Sequence, residues 1–410
     1  MNRGPSGGGP ELSVAEVLRT FLPQFPHPLP VHHLKVLRHL AACRTAQLGW
    51  SIWRCEHCGH SHTRPNVCGD RHCPACQHHR SAQWVEKQRQ SLLPVRYFHW
   101  VFTLPAALRP LALQNPKAIY DLFFQSASAA ILQFGRERFG AEIGLMLILH
   151  TWGQNMMNHP HLHGVATGGG LTAENTWAGP KQIHWLFPKD ALADLFRGKF
   201  CAGLLQLHAT GRLEFHGQLK ALEKPGAFAQ LLRQLRSQRW NVFAKGSVAG
   251  PEAVLDYLGR YTHRVAISNG RLRAIDPAAG TVTFTYKDYA DDHLIKPLLL
   301  TGTEFIRRLA LHVLPPGFTK IRHYGLLGNN RRHTRVPLAR AALQNSPLRF
   351  EPVPRAPKLE ALNSGPSAFA CPRCQGTKLR CLGRADRFGK VMLFRRPWLA
   401  SPANAFIDTS

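Results

Sequence analysis

GLMLILHTWGQNMMNHPHLHGVATGGG, residues 144–170, reads as a β-hairpin. GLMLILHTWG (144–153) is a short, nearly unbroken apolar run of buried-strand length. The NMMNHP stretch (155–160) carries turn formers, HLHGVAT resumes as the return strand, and Gly168, Gly169 and Gly170 are expected to end it. Alternate residues of a strand share a face, so His161 and His163 project together and leave Leu162 to the core on the other side. That spacing lets two imidazoles reach one divalent cation. Gln154, seven residues before His161 at the end of the partner strand, would lie across the hairpin as a third ligand. An incomplete, oxygen-containing set of this kind suits Mg²⁺ or Mn²⁺ and leaves positions for phosphate oxygens. The competing reading is a pair of hydrogen-bonded sheet histidines. With 23 histidines in 410 residues about one His-x-His arises by accident, and His60 with His62 is another.

The weight comes from a second feature. DYLGRYTHRVAIS, about a hundred residues later, holds Tyr257 and Tyr261 in a chain with only 7 tyrosines. GSVAGPEAVLDYLGRY opens as a helix at Pro251, and positions i and i+4 share a helical face, so both hydroxyls would reach one cleft. A phenol with a pKa near 10 is a poor nucleophile at neutral pH, so a cation or neighbouring positive charge must stabilise the phenolate. Arg260 and Arg264 are the local donors, and His263 with them is a candidate phosphate contact. Aromatic residues at helical spacing more often belong to a core; the histidine strand reverses that preference. Together the two features describe a metal-assisted strand-cutting centre with two nucleophiles.

Composition agrees. Lys and Arg number 52 against 24 acidic residues, a formal charge of +28, with 44% hydrophobic content. A chain this long buries a sizeable core, and its charge points to a nucleic-acid partner through counterion release at phosphates. No apolar run of membrane-spanning length and no secretory leader is evident, so the expected setting is the bacterial cytoplasm at the nucleoid, without a membrane partner.

Ten cysteines would mean disulfides in a secreted protein, but three Cys-x-x-Cys pairs, where composition predicts about a quarter of one, read inside a cell as zinc ligands. Cys55, Cys58, Cys73 and Cys76 form the expected tetrahedral structural Zn²⁺ site, with Cys68 and His72 as rivals. Cys371 and Cys374 have only Cys381 nearby, an incomplete set. Three parts follow: a helical and zinc-binding module over 1–95, a catalytic domain over 96–330, and a basic, proline-rich tail over 331–410 with a degenerate zinc-binding element. Within the second, VRYFHWVFTLP (95–105) is a first strand, Asn269-Gly270 between HRVAIS and RLRAID a hairpin turn, and EFIRRLALHVL (304–314) a helix.

CEHCGHSH, RHCPACQ, VFTLP, WGQN with HPHLHGVATGGGL, YLGRYTHRVAISNGRL and FIRRLALHVLPPGFTKIRHYGLL occur here in the order of one family. Over roughly residues 15–330 the chain resembles the two-tyrosine HUH rolling-circle transposases of the insertion-sequence ninety-one type. The resemblance implies an α+β fold with an HUH endonuclease-type central antiparallel sheet flanked by helices, behind the cysteine-rich module. It also implies an enzyme that nicks and rejoins single-stranded DNA at the ends of a mobile element through 5′-phosphotyrosine intermediates, without a nucleotide cofactor. A rolling-circle replication initiator or relaxase would use the same chemistry. A non-catalytic zinc-dependent nucleic-acid-binding protein would merely pack these histidines and tyrosines, and an inactive relic of a transposase would keep the motifs without the reaction.

Overall fold

The computed structural model describes residues 12–89, 91–180, 186–248, 262–345 and 370–399, together with Val254 and Gly259. Tyr257, Arg260 and Tyr261 lie outside the described residues. In chain order the elements are α1 (Val14–Phe21), α2 (Val31–Ala41), β1 (Trp50–Cys55), β2 (Ser61–Pro65), α3 (Pro74–Arg89), β3 (Tyr97–Thr103), α4 (Arg109–Gln114) and α5 (Pro116–Phe139). The hairpin β4 (Glu142–Trp152) and β5 (Asn158–Leu171) follows, then β6 (Trp177–Ala178), α6 (Lys189–Ala209), α7 (Pro225–Ser237) and β7 (Val242–Val248). After these come β8 (Leu272–Asp276), β9 (Thr281–Lys287), β10 (Ile295–Thr301), α8 (Gly302–Ala310), β11 (Ile321–Gly325), α9 (Arg332–Gln344), β12 (Leu379–Ala385) and β13 (Val391–Leu399).

The central antiparallel sheet runs β11-β4-β5-β3-β7, with the 144–170 hairpin in its middle. Strand alternation gives it two unlike faces. Leu145, Leu147, Leu149, Leu162, Trp100 and Phe102 turn to a core shared with α5 and α6, where Phe102 and Phe123 meet Phe196 at ring distances of 5.1 and 5.7 Å. Pro116 at its first turn and Gly140 in the left-handed conformation at its end (φ 61°) bound α5, the long helix of that layer. Truncating Phe196 would cost about 4 kcal/mol, the usual range for a buried phenylalanine. The opposite face carries Met146, Ile148, Val165 and Tyr97, packed with Val254, Leu326 and Val336. His150, His161 and His163 belong to it by register, since His150 pairs with His161 and Ile148 with His163.

Two local expectations change. The three glycines do not end the return strand, which continues to Leu171. Neighbouring backbone crowds them instead: a Cβ on Gly170 would stand 2.2 Å from the Glu142 carbonyl oxygen. Asn269-Gly270 is not a two-residue hairpin turn, because Asn269–Arg271 is a short 3-10 helix and β8 begins after it. The Asn269 side chain accepts from the Val14 N–H at 3.1 Å, so a long-range contact uses the group that a local turn would have used.

The cysteine-rich module is also a mixed structure. Its sheet runs β13-β12-β1-β2, so residues 379–399, placed by sequence in a separate tail, lie beside the N-terminal strands. No helix among the described residues is long and apolar enough to cross a membrane.

Candidate active site and metal centres

Register on the central sheet assembles a three-histidine group. One donor nitrogen each from His150, His161 and His163 lies within 4.8 Å of the others. Directly opposed residues of an antiparallel pair project from the same face, which brings His150 of β4 onto the His-Leu-His pair of β5. Each ring is held. The Nδ1–H of His161 donates to the His159 carbonyl at 2.7 Å, which turns its Nε2 outward. His163 Nδ1 is 3.3 Å from His99 Nε2 on β3, with the two rings stacked at 10°. His150 stacks on Trp152 at 4.6 Å. Histidines that ligate metals are characteristically oriented through their other nitrogen in this way.

Electrostatics favour the neutral, lone-pair-bearing form. Burial, with the charges of His159 and Arg264 adding to it, brings His161 down to about 4. Burial and then the neighbouring His150, His161 and His99 hold His163 well below the ordinary histidine value. At neutral pH neither ring needs to lose a proton to bind a cation. The three imidazoles fit a divalent ion, and an all-nitrogen set suits a transition metal better than Mg²⁺.

Gln154 is the third ligand expected from the sequence. It sits in the hairpin turn, where its Nε2 donates to the Tyr289 hydroxyl at 3.3 Å and its carbonyl accepts from Arg271. His150 supplies a third imidazole to the pair. A one-position register shift between His150 and Trp152 aligns it with His161, and counting residues back from the turn does not reveal such a bulge. His99 was also missed, since a lone histidine in an aromatic strand carries no spacing signal.

Among the expected phosphate contacts, Arg264 faces the site: its charge acts on both His161 and His163, and its carbonyl accepts from the Lys320 ammonium at 3.4 Å. His263 has its Nδ1 3.0 Å from the Thr262 hydroxyl and its ring against Trp84. A cleft lined by Trp152, Arg264, Arg71 and Lys320, together with His72 and His312 and apolar walls from α2 and α8, reaches the three-histidine group through Trp152, on which His150 stacks. Burial, with Arg71 adding to it, brings Lys320 down to about 8, so it still carries charge at pH 7. This concentration of positive charge in a partly dry cleft suits a phosphodiester.

The cysteines group differently from the expected Cys55, Cys58, Cys73 and Cys76. Cys73 and Cys76 join Cys68 and Cys43, with Sγ separations of 3.7 Å (Cys43–Cys76 and Cys43–Cys73) and 3.6 Å (Cys68–Cys76). Cys55 and Cys58 join Cys371 and Cys374 instead. Cys381 is buried in β12 and belongs to neither group. Hydrogen bonding among the first four thiols pulls Cys43 far below the ordinary thiol value and pushes Cys68 and Cys73 far above it. Four such donors cannot all ionise side by side without a cation, and Zn²⁺ fits them. His72 is no ligand: its Nδ1–H donates to Asp70 at 2.8 Å and its Nε2 accepts from the Leu314 N–H at 3.2 Å. Arg71 donates to the carbonyls of Pro315 (2.7 Å) and Phe318, so the zinc loop grips the segment after α8 and forms one wall of the cleft.

Two family models match the chain: "Transposase zinc-binding domain" over residues 14–104, and "Putative transposase" over 144–334. Over 351 residues it is 44% identical to the "Putative transposase y4qJ" of Sinorhizobium fredii, which covers 83% of this chain and 86% of that protein. The chain belongs to the IS91-type transposase family. This transposase is also 28% identical over 298 residues to the transposase for insertion sequence element IS801 of Pseudomonas savastanoi pv. phaseolicola, covering 72% of this chain and 70% of the relative. No solved structure matches it. Family membership makes DNA its substrate and strand cutting and transfer its activity, and the cysteine module of the transposase holds structural Zn²⁺.

Proposed function

We propose that this transposase nicks and rejoins single-stranded DNA by a rolling-circle route, with Tyr257 and Tyr261 as nucleophiles and His150, His161 and His163 as the holders of a catalytic divalent cation, Mn²⁺ in preference to Mg²⁺. The observation that carries the reading is the shared sheet face. Val254, three residues before Tyr257, packs with Met146, Ile148 and Val165 on the histidine side, and Arg264, three residues after Tyr261, acts electrostatically on His161 and His163.

When bound, the cation would polarise the scissile phosphate. The protein's own groups do the rest. His99 and the His159 carbonyl orient two of the imidazoles, while Arg264 and Lys320 neutralise phosphate charge. A tyrosine oxygen attacks phosphorus, the P–O3′ bond breaks, and the products are a 5′-phosphotyrosine and a 3′-hydroxyl. The bond energy stays in the phosphotyrosine, so rejoining needs no nucleotide. The second tyrosine takes the next strand, and cutting and joining alternate between the two. We assign the reaction to residues 96–330.

The test incubates the protein with labelled single-stranded oligonucleotides carrying an element end, with Mn²⁺, Mg²⁺ or EDTA. A denaturant-resistant adduct is expected with metal, reduced in Tyr257→Phe and in Tyr261→Phe and absent in the double variant. An adduct that persists in the double variant removes the tyrosines from the reaction. Tight DNA binding without any adduct favours a non-catalytic binder.

A further inference from the structure

Residues 370–399 lie beyond both matched regions, 14–104 and 144–334, yet they carry half of a second cysteine group. Cys55 and Cys374 have their sulfurs 3.6 Å apart, and Cys58 and Cys371, separated by 313 positions in sequence, have theirs 3.7 Å apart. All four lie within 4.8 Å of one another. A zinc–sulfur bond of about 2.3 Å gives a tetrahedron with edges of about 3.8 Å, and the observed separations are close to that.

The two halves are built alike. In CEHCG the Gly59 N–H donates to the Cys55 carbonyl at 3.0 Å, with Gly59 left-handed at φ 71°. In CPRCQG the Gln375 N–H donates to the Cys371 carbonyl at 2.9 Å, with Gln375 left-handed at φ 59°. Each turn brings its two thiols to one side. Gly376 leaves room for the group, since a Cβ there would meet Cys374 Sγ at 3.2 Å and Cys55 Sγ at 3.7 Å. Behind the thiols, β1 pairs with β12 from Trp50 opposite Ala385 to Cys55 opposite Leu379. The buried apolar residues there are few, Trp53, Leu379 and three of the cysteines, too small a core to hold two remote segments by burial alone. Arg64 donates to the Ala370 carbonyl at 2.6 Å and places its positive charge beside Cys371.

We propose that Cys55, Cys58, Cys371 and Cys374 bind a second structural zinc ion whose ligands come from the two ends of the chain, so that the β12–β13 hairpin is a permanent half of the zinc module. Binding converts four thiols to thiolates, releases four protons, and leaves a ZnS₄ unit of net charge −2, which Arg64 partly offsets. This site is independent of the tyrosine chemistry.

The test uses the full-length chain. Elemental analysis is expected to give two zinc ions per chain, and Cys371→Ser with Cys374→Ser to leave one; Cys43→Ser with Cys73→Ser, at the other group, likewise leaves one. Alkylation mapped by mass spectrometry reads the native protein directly, because Cys58 and Cys374 are partly exposed and would react if free. Both are expected to resist alkylation until a chelator is added, then to react together with Cys371. One zinc per chain with Cys58 and Cys374 alkylated in the native protein overturns the proposal, as does a Cys371→Ser, Cys374→Ser variant that keeps both ions. If that variant does not fold, the wild-type stoichiometry and alkylation pattern decide.

Discussion

Replacing His99 by phenylalanine tests whether the central sheet would support the proposed cation through an outer contact. His99 is buried on β3, and its Nε2 lies 3.3 Å from Nδ1 of His163 with the rings stacked. If His163 binds the cation through Nε2, its Nδ1 carries the proton and His99 accepts it. Phenylalanine keeps an aromatic ring in that place, though a larger one, and offers no acceptor, and the melting control reads any overpacking. Loss of such an outer partner typically weakens metal affinity about 10- to 100-fold. At about 1.4 kcal/mol per decade this is roughly 2 kcal/mol. Mn²⁺ titration followed by the resonance of the free ion measures it, alongside thermal melting in EDTA to show that the apo fold survives. His99→Gln, which can still accept a hydrogen bond, should recover part of the loss. Equal Mn²⁺ affinities for wild type and His99→Phe, with unchanged melting, would refute the reasoning and leave His99 as a packing residue.

Other outcomes follow from the same contacts. His150→Ala should abolish Mn²⁺ binding and adduct formation, while Gln154→Ala should leave Mn²⁺ affinity within about threefold, half a decade in the binding constant; the reverse pattern would make the glutamine, not His150, the third ligand. Arg71→Ala removes the donor to the Pro315 and Phe318 carbonyls and should lower stability by about 3 kcal/mol in a denaturant titration, through buried acceptors left unpaired. His312 is buried, with its Nε2–H on the Met156 carbonyl at 2.9 Å, and burial brings its pKa down to about 4 from 6.5. Below pH 6.5 the unfolded chain takes up a proton that the folded chain refuses until about pH 4, so stability is full above that window and falls as pH drops through it. At pH 5 the loss is about 2 kcal/mol for this group, and a His312→Gln variant should show a correspondingly shallower fall in melting temperature between pH 7 and pH 5.

The central hairpin, its His-Leu-His pair and the metal-binding character of the cysteines were legible because each is written in short-range spacing. Period two places His161 with His163, and Cys-x-x-Cys turns two thiols to one side whatever surrounds them. The mixed α+β class and the family followed from motif order. Partners across the sheet were not legible. His150 reaches His161 only through a bulge, and His99 reaches His163 only because β3 pairs with β5.

The amino-acid order alone therefore marked the local pairs, His161 with His163 and each Cys-x-x-Cys, that can share a metal and the strand face they occupy, since those depend on dihedral periodicity within a few residues. Only the tertiary structure decided which of them meet. Cys55 pairs with a cysteine 319 positions away rather than with Cys73, because strand hydrogen bonding between β1 and β12 brings the chain ends together, and no local rule encodes a contact made across that length of chain.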